Sequence, residues 1–357
     1  MYCCACYNAF RNREQGKTKI RWRVKIMKKE SIFEAMENDI INAKINEVEK
    51  NKMLKNVMRL KEQKINIMIT GATGCGKSST INALFETEVA KVGVGVDPET
   101  MEIEKYELDN LILWDTPGLG DGKEADNRHA KNIIKKLAEV DNEGNALIDL
   151  VLVILDGSSR DLGTSYELIN NVIIPNLGED KENRILVAIN QADVAMKGRN
   201  WDFNANKPND KLKEFLEEKV RSVKNRIYEG TGVSVEPIYY SAGYKEEGEI
   251  QNRPYNLSKL LYYIVKATPA NKRVVYVNNV NSDKSMWKDD DKLINYSKET
   301  QRNMLTSIMM GVSTGTRIGE KIGRTIGGKF GPIGETIGRI AGTIFGGVLG
   351  ALGGIFG

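Results

Sequence analysis

Eight consecutive residues, Gly71, Ala72, Thr73, Gly74, Cys75, Gly76, Lys77 and Ser78, satisfy the pattern G-x-x-x-x-G-K-[ST]. Glycines in such a loop let backbone N–H groups converge on phosphate oxygens, and a helix starting there adds its positive end. Lys77 has the charge and reach for β- and γ-phosphates, which makes it the first catalytic candidate. Ser78, followed by Ser79, offers a hydroxyl to Mg2+. Cys75 reads as a small filler at a variable position of the loop. Asp115, Thr116, Pro117 and Gly118 bring a carboxylate suited to holding Mg2+ through water and, at Gly118, a backbone N–H suited to a γ-phosphate. Asn190, Gln191, Ala192 and Asp193 form a further group, and Ser241 with Ala242 another. An aspartate facing guanine N1 and N2 accepts two hydrogen bonds that adenine cannot supply, and the wrong base leaves the carboxylate unpaired. The expected ligand is GTP or GDP, with Mg2+ as cofactor.

These residues need elements that bring them together. Ile65, Ile67 and Ile69 alternate as in a strand, Gly71 opens the loop, and Lys77 to Phe85 resumes helical spacing. Met101 to Leu108 and Leu111 to Thr116 read as two short strands joined at Asp109 and Asn110. Further apolar runs lie at Leu150–Leu155, Ile185–Ile189 and Val235–Tyr240, with helical stretches at 127–140, 161–174 and 208–228. Strands alternating with helices predict an α/β fold with a mostly parallel sheet flanked by helices. Each motif then follows the C-terminal end of a strand, where open α/β sheets bind ligands. Residues 27–63 read as one amphipathic helix, 64–268 as the nucleotide-binding domain, and 269–310 as a helical C-terminal extension that begins at Pro269.

With these four motifs in order, the chain resembles the Era/septin-related branch of the TRAFAC P-loop GTPases and is similar to GTPases of bacterial prophages and mobile elements. The resemblance covers about residues 64–268. It implies that Thr100 is the switch threonine that contacts Mg2+ and the γ-phosphate; by residue type alone, Thr87 and Asp97 are candidates as well. The metal set implied is Ser78, Thr100 and Asp115. Several positions depart from the family pattern. Gln191 and Gly243 stand where lysines are usual, and Leu119 where some relatives carry a water-orienting glutamine. Gly74 replaces the loop asparagine of potassium-dependent relatives. An aliphatic Leu119 cannot orient water by hydrogen bonding, so slow intrinsic hydrolysis is expected. Arg160 has the charge of an arginine finger and is the remaining catalytic candidate.

Composition narrows the alternatives. The chain has 357 residues, 41% hydrophobic and 28% charged, which describes a folded soluble domain. Its net charge of +4 is too balanced to predict DNA binding. One histidine, His129, leaves no Ser-His-Asp site or multi-histidine metal centre to expect, and four cysteines make no disulfide framework. A reducing, cytoplasmic setting follows. Residues 1–26 carry seven basic residues against Glu14 alone and have no apolar h-region. Met27 reads as the natural start, with 1–26 as a non-native or disordered basic leader. The other reading is a basic arm whose Cys3, Cys4 and Cys6 bind metal or lipid.

Sixteen of the 34 glycines fall in residues 311–357, many at four-residue steps: 311 to 327, then 334 to 354. Such stripes let helices approach closely. The seven glycines of 340–357 oppose an isolated helix in water by up to about 7 kcal/mol. As a helix, this uncharged stretch would reach about 27 Å, marginal for a hydrocarbon core. The tail therefore reads as a glycine zipper that self-associates or enters a membrane, the inner membrane in a bacterium. Three functional readings follow. One is a slow GTPase switch coupled to such a tail, acting as a homodimer through its G domain or tail. The second is a membrane-active interaction protein that only senses GTP. The third is a soluble GTPase acting on RNA or ribosomes.

Overall fold

The computed structural model describes residues 9–10, 21–22, 32–42, 46–85, 102–118, 122–243 and 253–312. In chain order, α1 (Ile32–Ile41) and α2 (Glu47–Glu62) precede β1 (Ile65–Gly71) and α3 (Lys77–Leu84). Then come β2 (Glu104–Leu108), β3 (Leu111–Asp115), α4 (Lys123–Leu137) and β4 (Leu150–Asp156). Next are α5 (Gly163–Glu167), continued by one π-helical stretch Leu168–Ile173, β5 (Ile185–Asn190), α6 (Asp210–Thr231) and β6 (Ile238–Tyr239). The chain continues through α7 (Leu257–Ala267), α8 (Tyr276–Asn279) and α9 (Tyr296–Val312).

The six strands form one sheet in the order β6-β5-β4-β1-β3-β2. Only β2 runs antiparallel to its neighbour. β1 and β5 are buried at every residue, and β4 at all but its last. Covered on both faces, they read as continuous apolar runs. β2 is the exposed edge, with Glu104, Lys105 and Glu107 blunting it against further pairing.

Alternate side chains enter two cores. Ile65, Ile67 and Ile69 of β1 join Leu150, Leu152 and Ile154 of β4 on one face, together with residues of α1, α2, α7 and the C-terminal extension. Met68, Val151, Val153 and Leu155 face the other way, against α4, the π-helical stretch and α6. This is the two-residue period of a strand dividing one sequence between two layers.

Some boundaries differ from the sequence reading. The stretch taken as one helix over 27–63 is two helices. Asn42 closes α1, its backbone N–H and side-chain amide both donating to the Asn38 carbonyl at 3.1 and 2.8 Å. Asparagine competes in this way with helical continuation. Among the described residues, the strand expected from Met101 is paired over Glu104–Leu108, and that expected over Val235–Tyr240 at Ile238 and Tyr239. The helix read over 161–174 passes from α-helical to π-helical geometry ahead of Pro175, which lacks the N–H of a regular turn. Within residues 1–26, Ala9–Phe10 pairs antiparallel with Arg21–Trp22. The glycine-rich series lies outside the described residues beyond Val312. Among the described residues no helix is long and apolar enough to cross a membrane.

Residues 269–312 wrap the first core. Tyr276 stacks on Phe85 with ring centroids 6.4 Å apart, and its hydroxyl hydrogen-bonds Thr268 Oγ1 at 2.7 Å. Lys272 pairs with buried Asp149 at 2.7 Å, whose other oxygen accepts from the Asn66 N–H at 2.9 Å. Asp291 forms an ion pair with Lys259 at 2.7 Å and accepts from the Tyr296 hydroxyl at 2.9 Å. α9 packs against α7 and α2.

Candidate nucleotide site

Sheet register aligns the motif residues at one edge. Asp115 stands beside Ile69, Gly71 beside Ile154, and Asp156 beside Asn190. The 71–78 loop spans the gap between β1 and α3. Gly76 takes φ +89°, and a side chain there would run into the Asn190 amide. The loop closes on itself: Lys77 Nζ donates to the Gly71 and Ala72 carbonyls, both at 3.3 Å. Cys75 is fully buried beneath it, and burial pushes its thiol up to about 11. A thiol held neutral is a poor nucleophile, so Cys75 is a packing residue.

Asn190 ties two motifs together. Its amide Nδ2 donates to the Cys75 carbonyl at 2.9 Å, and its Oδ1 accepts from the Ala242 N–H at 3.0 Å. Gln191 reaches across as well, Nε2 donating to the Gly74 carbonyl at 2.7 Å from a backbone at φ +61°. Asp193 follows, half-buried, in the turn after β5. The turn holding Ser241 is fixed by reciprocal backbone bonds with Tyr255, at 3.0 and 2.9 Å. Thus Gly71–Ser78, Asn190–Asp193 and Ser241–Ala242 lie together at the C-terminal ends of β1, β5 and β6.

Asp115 is 1% exposed at the end of β3. Burial raises its carboxyl to about 6 against the pull of the Lys77 ammonium; Glu104 pushes it further up, and a hydrogen bond from Ser78 pulls it down. Its Oδ1 has no hydrogen-bond partner among the described residues. A buried carboxylate with one oxygen satisfied by a serine hydroxyl and the other open is a donor set suited to a hard cation. Ser78 and Asp115 therefore fit Mg2+. Thr100, the third member of the expected set, lies outside the described residues, as does Leu119. Gly118 is packed directly on Thr73 of the loop, with no room for a side chain.

Residues 66–191 match the family described as 50S ribosome-binding GTPase. Those residues form a P-loop GTPase domain. Among individual relatives, the uncharacterised protein YkfA of Escherichia coli is 29% identical over 148 residues, 40% of this chain and 47% of that protein. The chain thus spans about half the length of this relative. Human Septin-12 is 39% identical over 74 residues, 17% of this chain and 21% of the septin. Among solved structures, Toc33 from Arabidopsis thaliana in complex with Mg2+ and GMPPNP is similar at 15% identity and a TM-score of 0.38, over 60% of this chain and 88% of that one.

Four residues that the motifs do not contain also support the GTPase domain. Tyr240 hydrogen-bonds Thr80 Oγ1 at 2.7 Å, anchoring α3 to the sheet end beside Ser241. Lys219 Nζ donates to the carbonyls of Gly157 and Ser159 at 2.7 and 2.6 Å, holding the turn that carries exposed Arg160. Asn281 binds the end of α3. His129, the seventh residue of α4, donates from Nδ1 to the Gly118 carbonyl at 3.2 Å. Of the four, Tyr240 was legible as the end of an apolar strand run, and His129 as the polar member of an i, i+4, i+8 stripe with Ile133 and Leu137.

Proposed function

We propose that this chain is a GTP-driven switch that binds Mg2+ and guanine nucleotide at the 71–78 loop and hydrolyses GTP slowly. The observation that carries this reading is the Asn190 bridge, which makes the phosphate loop and the base-recognition turns one unit. In this reading the loop N–H groups and Lys77 hold the phosphates, and Asp193 accepts from guanine N1 and N2. Ala242 presents its backbone, and Gln191 lines the base without the charge of the usual lysine. Ser78, Asp115 and Thr100 would hold Mg2+, which supplies charge neutralisation at the β- and γ-phosphates when bound. Gly118 offers its N–H to the γ-phosphate.

Leu119, by residue type, cannot orient water by hydrogen bonding, which in this reading makes turnover slow. Arg160 is exposed on the turn braced by Lys219 and would act as a finger in cis or, from a second copy facing the nucleotide, in trans. The tail beyond 311 would bring copies together or onto lipid, because its spaced glycines offset their cost only against another surface.

GTP turnover by wild type and Lys77→Ala, across a range of protein concentrations, tests the reading. Turnover that rises with concentration and is lost in Lys77→Ala supports it. Turnover untouched by Lys77→Ala refutes it. Flotation with anionic liposomes, with and without residues 311–357, separates the destinations of the tail: only the full chain floats if lipid is its surface.

A further inference from the structure

Gly118 is gripped from both sides. Its Cα face rests on Thr73 of the phosphate loop, so closely that a Cβ would collide with the Thr73 backbone. Its carbonyl accepts from His129 Nδ1 at 3.2 Å. His129 is 4% exposed and shares the inward face of α4 with Ile133 and Leu137, both part of the second core. The bland role for such a residue is a core histidine satisfying one hydrogen bond. Its acceptor argues for more. The single polar side chain on this buried stripe fixes the carbonyl of the glycine that packs on Thr73 of the phosphate loop, the same glycine whose N–H is assigned to the γ-phosphate in the proposed site.

Resting on the proposed GTP site, we propose that His129 is a positioning residue for γ-phosphate recognition. It sets the orientation of Gly118 and couples α4 to the presence or absence of that phosphate. The tethered carbonyl lies in the 118–119 peptide unit and the Gly118 N–H in the 117–118 unit, so the tether acts through their shared Cα: with one flank held, the N–H has fewer orientations to lose on engaging a ligand, which favours the triphosphate. GDP has no group at Gly118 and gains nothing from it. The effect belongs to nucleotide discrimination and not to nucleotide binding as such.

The chain's single histidine makes the test direct on wild-type protein. The untagged full chain, carrying 15N-labelled histidine, is loaded with GDP-Mg2+ and then with GMPPNP-Mg2+. One imidazole is observed in each state. The expected result is a slowly exchanging Nδ1–H whose shift differs between the two nucleotides. An identical signal in both states overturns the proposal.

Affinities of variants give the second arm. His129→Leu is expected to weaken GMPPNP by about three- to tenfold, the effect of losing one neutral hydrogen bond, and to leave GDP within about twofold. His129→Asn, which returns an N–H near Nδ1, is expected to restore most of the loss. Equal weakening of both nucleotides marks His129 as merely structural and overturns the inference. A chain that binds neither nucleotide overturns the GTP site itself. Binding of both with an unchanged histidine signal overturns only the role of His129.

Discussion

Asn281 sits at the carboxyl end of α3, its backbone N–H donating to the Leu84 carbonyl at 2.9 Å and its side-chain amide to the Ala83 carbonyl at 3.1 Å. Helix ends leave such carbonyls without partners. Here the C-terminal extension supplies them, and Trp287 Nε1 in turn donates to the Asn281 carbonyl at 2.9 Å. The helix that begins at Lys77 therefore ends on the extension. Asn281→Ala should destabilise the nucleotide-free protein by about 1–3 kcal/mol, the cost of leaving a buried acceptor unpaired. Denaturant unfolding followed by tryptophan fluorescence measures this; an unchanged midpoint would show that the extension does not brace α3.

The Asn190 bridge yields a graded pair of variants. Asn190→Ala removes both the bond to Cys75 and that from Ala242, whereas Asn190→Asp can still accept from the Ala242 N–H but cannot donate. Each buried group left unpaired costs about 1–3 kcal/mol. GDP affinity should therefore fall by at least about tenfold in Asn190→Ala, measured by calorimetric titration. A variant that binds GDP as wild type does would show that the two motifs are not held as one unit.

The buried Asp115 carboxyl predicts a pH dependence with a definite sign. Its folded-state value of about 6 stands above the ordinary carboxylate value of 3.8. Between those values the folded state holds a proton that the unfolded chain has released, so this residue lowers stability as pH rises from about 4 through 6. Relative to Asp115→Asn, nucleotide-free wild type should lose about 2–3 kcal/mol between pH 4 and pH 8. Loading with Mg2+ and GDP should shrink the difference, because a cation at the open oxygen favours the charged form. Urea unfolding of both proteins across that range is the check, and a difference that grows as pH falls would contradict the burial argument.

Much of the site was legible because its chemistry depends on residue type at fixed spacing. Gly71, Gly76, Lys77 and Ser78 announce a phosphate loop, and the apolar runs of β1, β4 and β5 announce strands buried on both faces. The ends of elements were less so. Asn42 divides a helix that apolar spacing carries straight through, and Glu102 and Ile103 lack the pairing that their pattern suggests. Lys219 and Asn281 were invisible, since each acts on backbone groups far away in the chain, at 157–159 and 83–84. His129 showed its burial through its stripe, but its acceptor is defined only when α4 meets Gly118.

The central claim is guanine recognition through Asp193, and nucleotide exchange tests it most directly. Affinities for GTP, ATP and XTP are compared in wild type and Asp193→Asn, with Mg2+ present. Wild type should bind GTP about 100-fold or more tighter than ATP or XTP, because either wrong base leaves a carboxylate bond unmade. In Asp193→Asn the amide can donate to the C2 oxygen of xanthine while still accepting from N1–H, so the preference should pass from GTP to XTP. Equal binding of ATP and GTP by wild type, or an intact guanine preference in Asp193→Asn, would contradict the account.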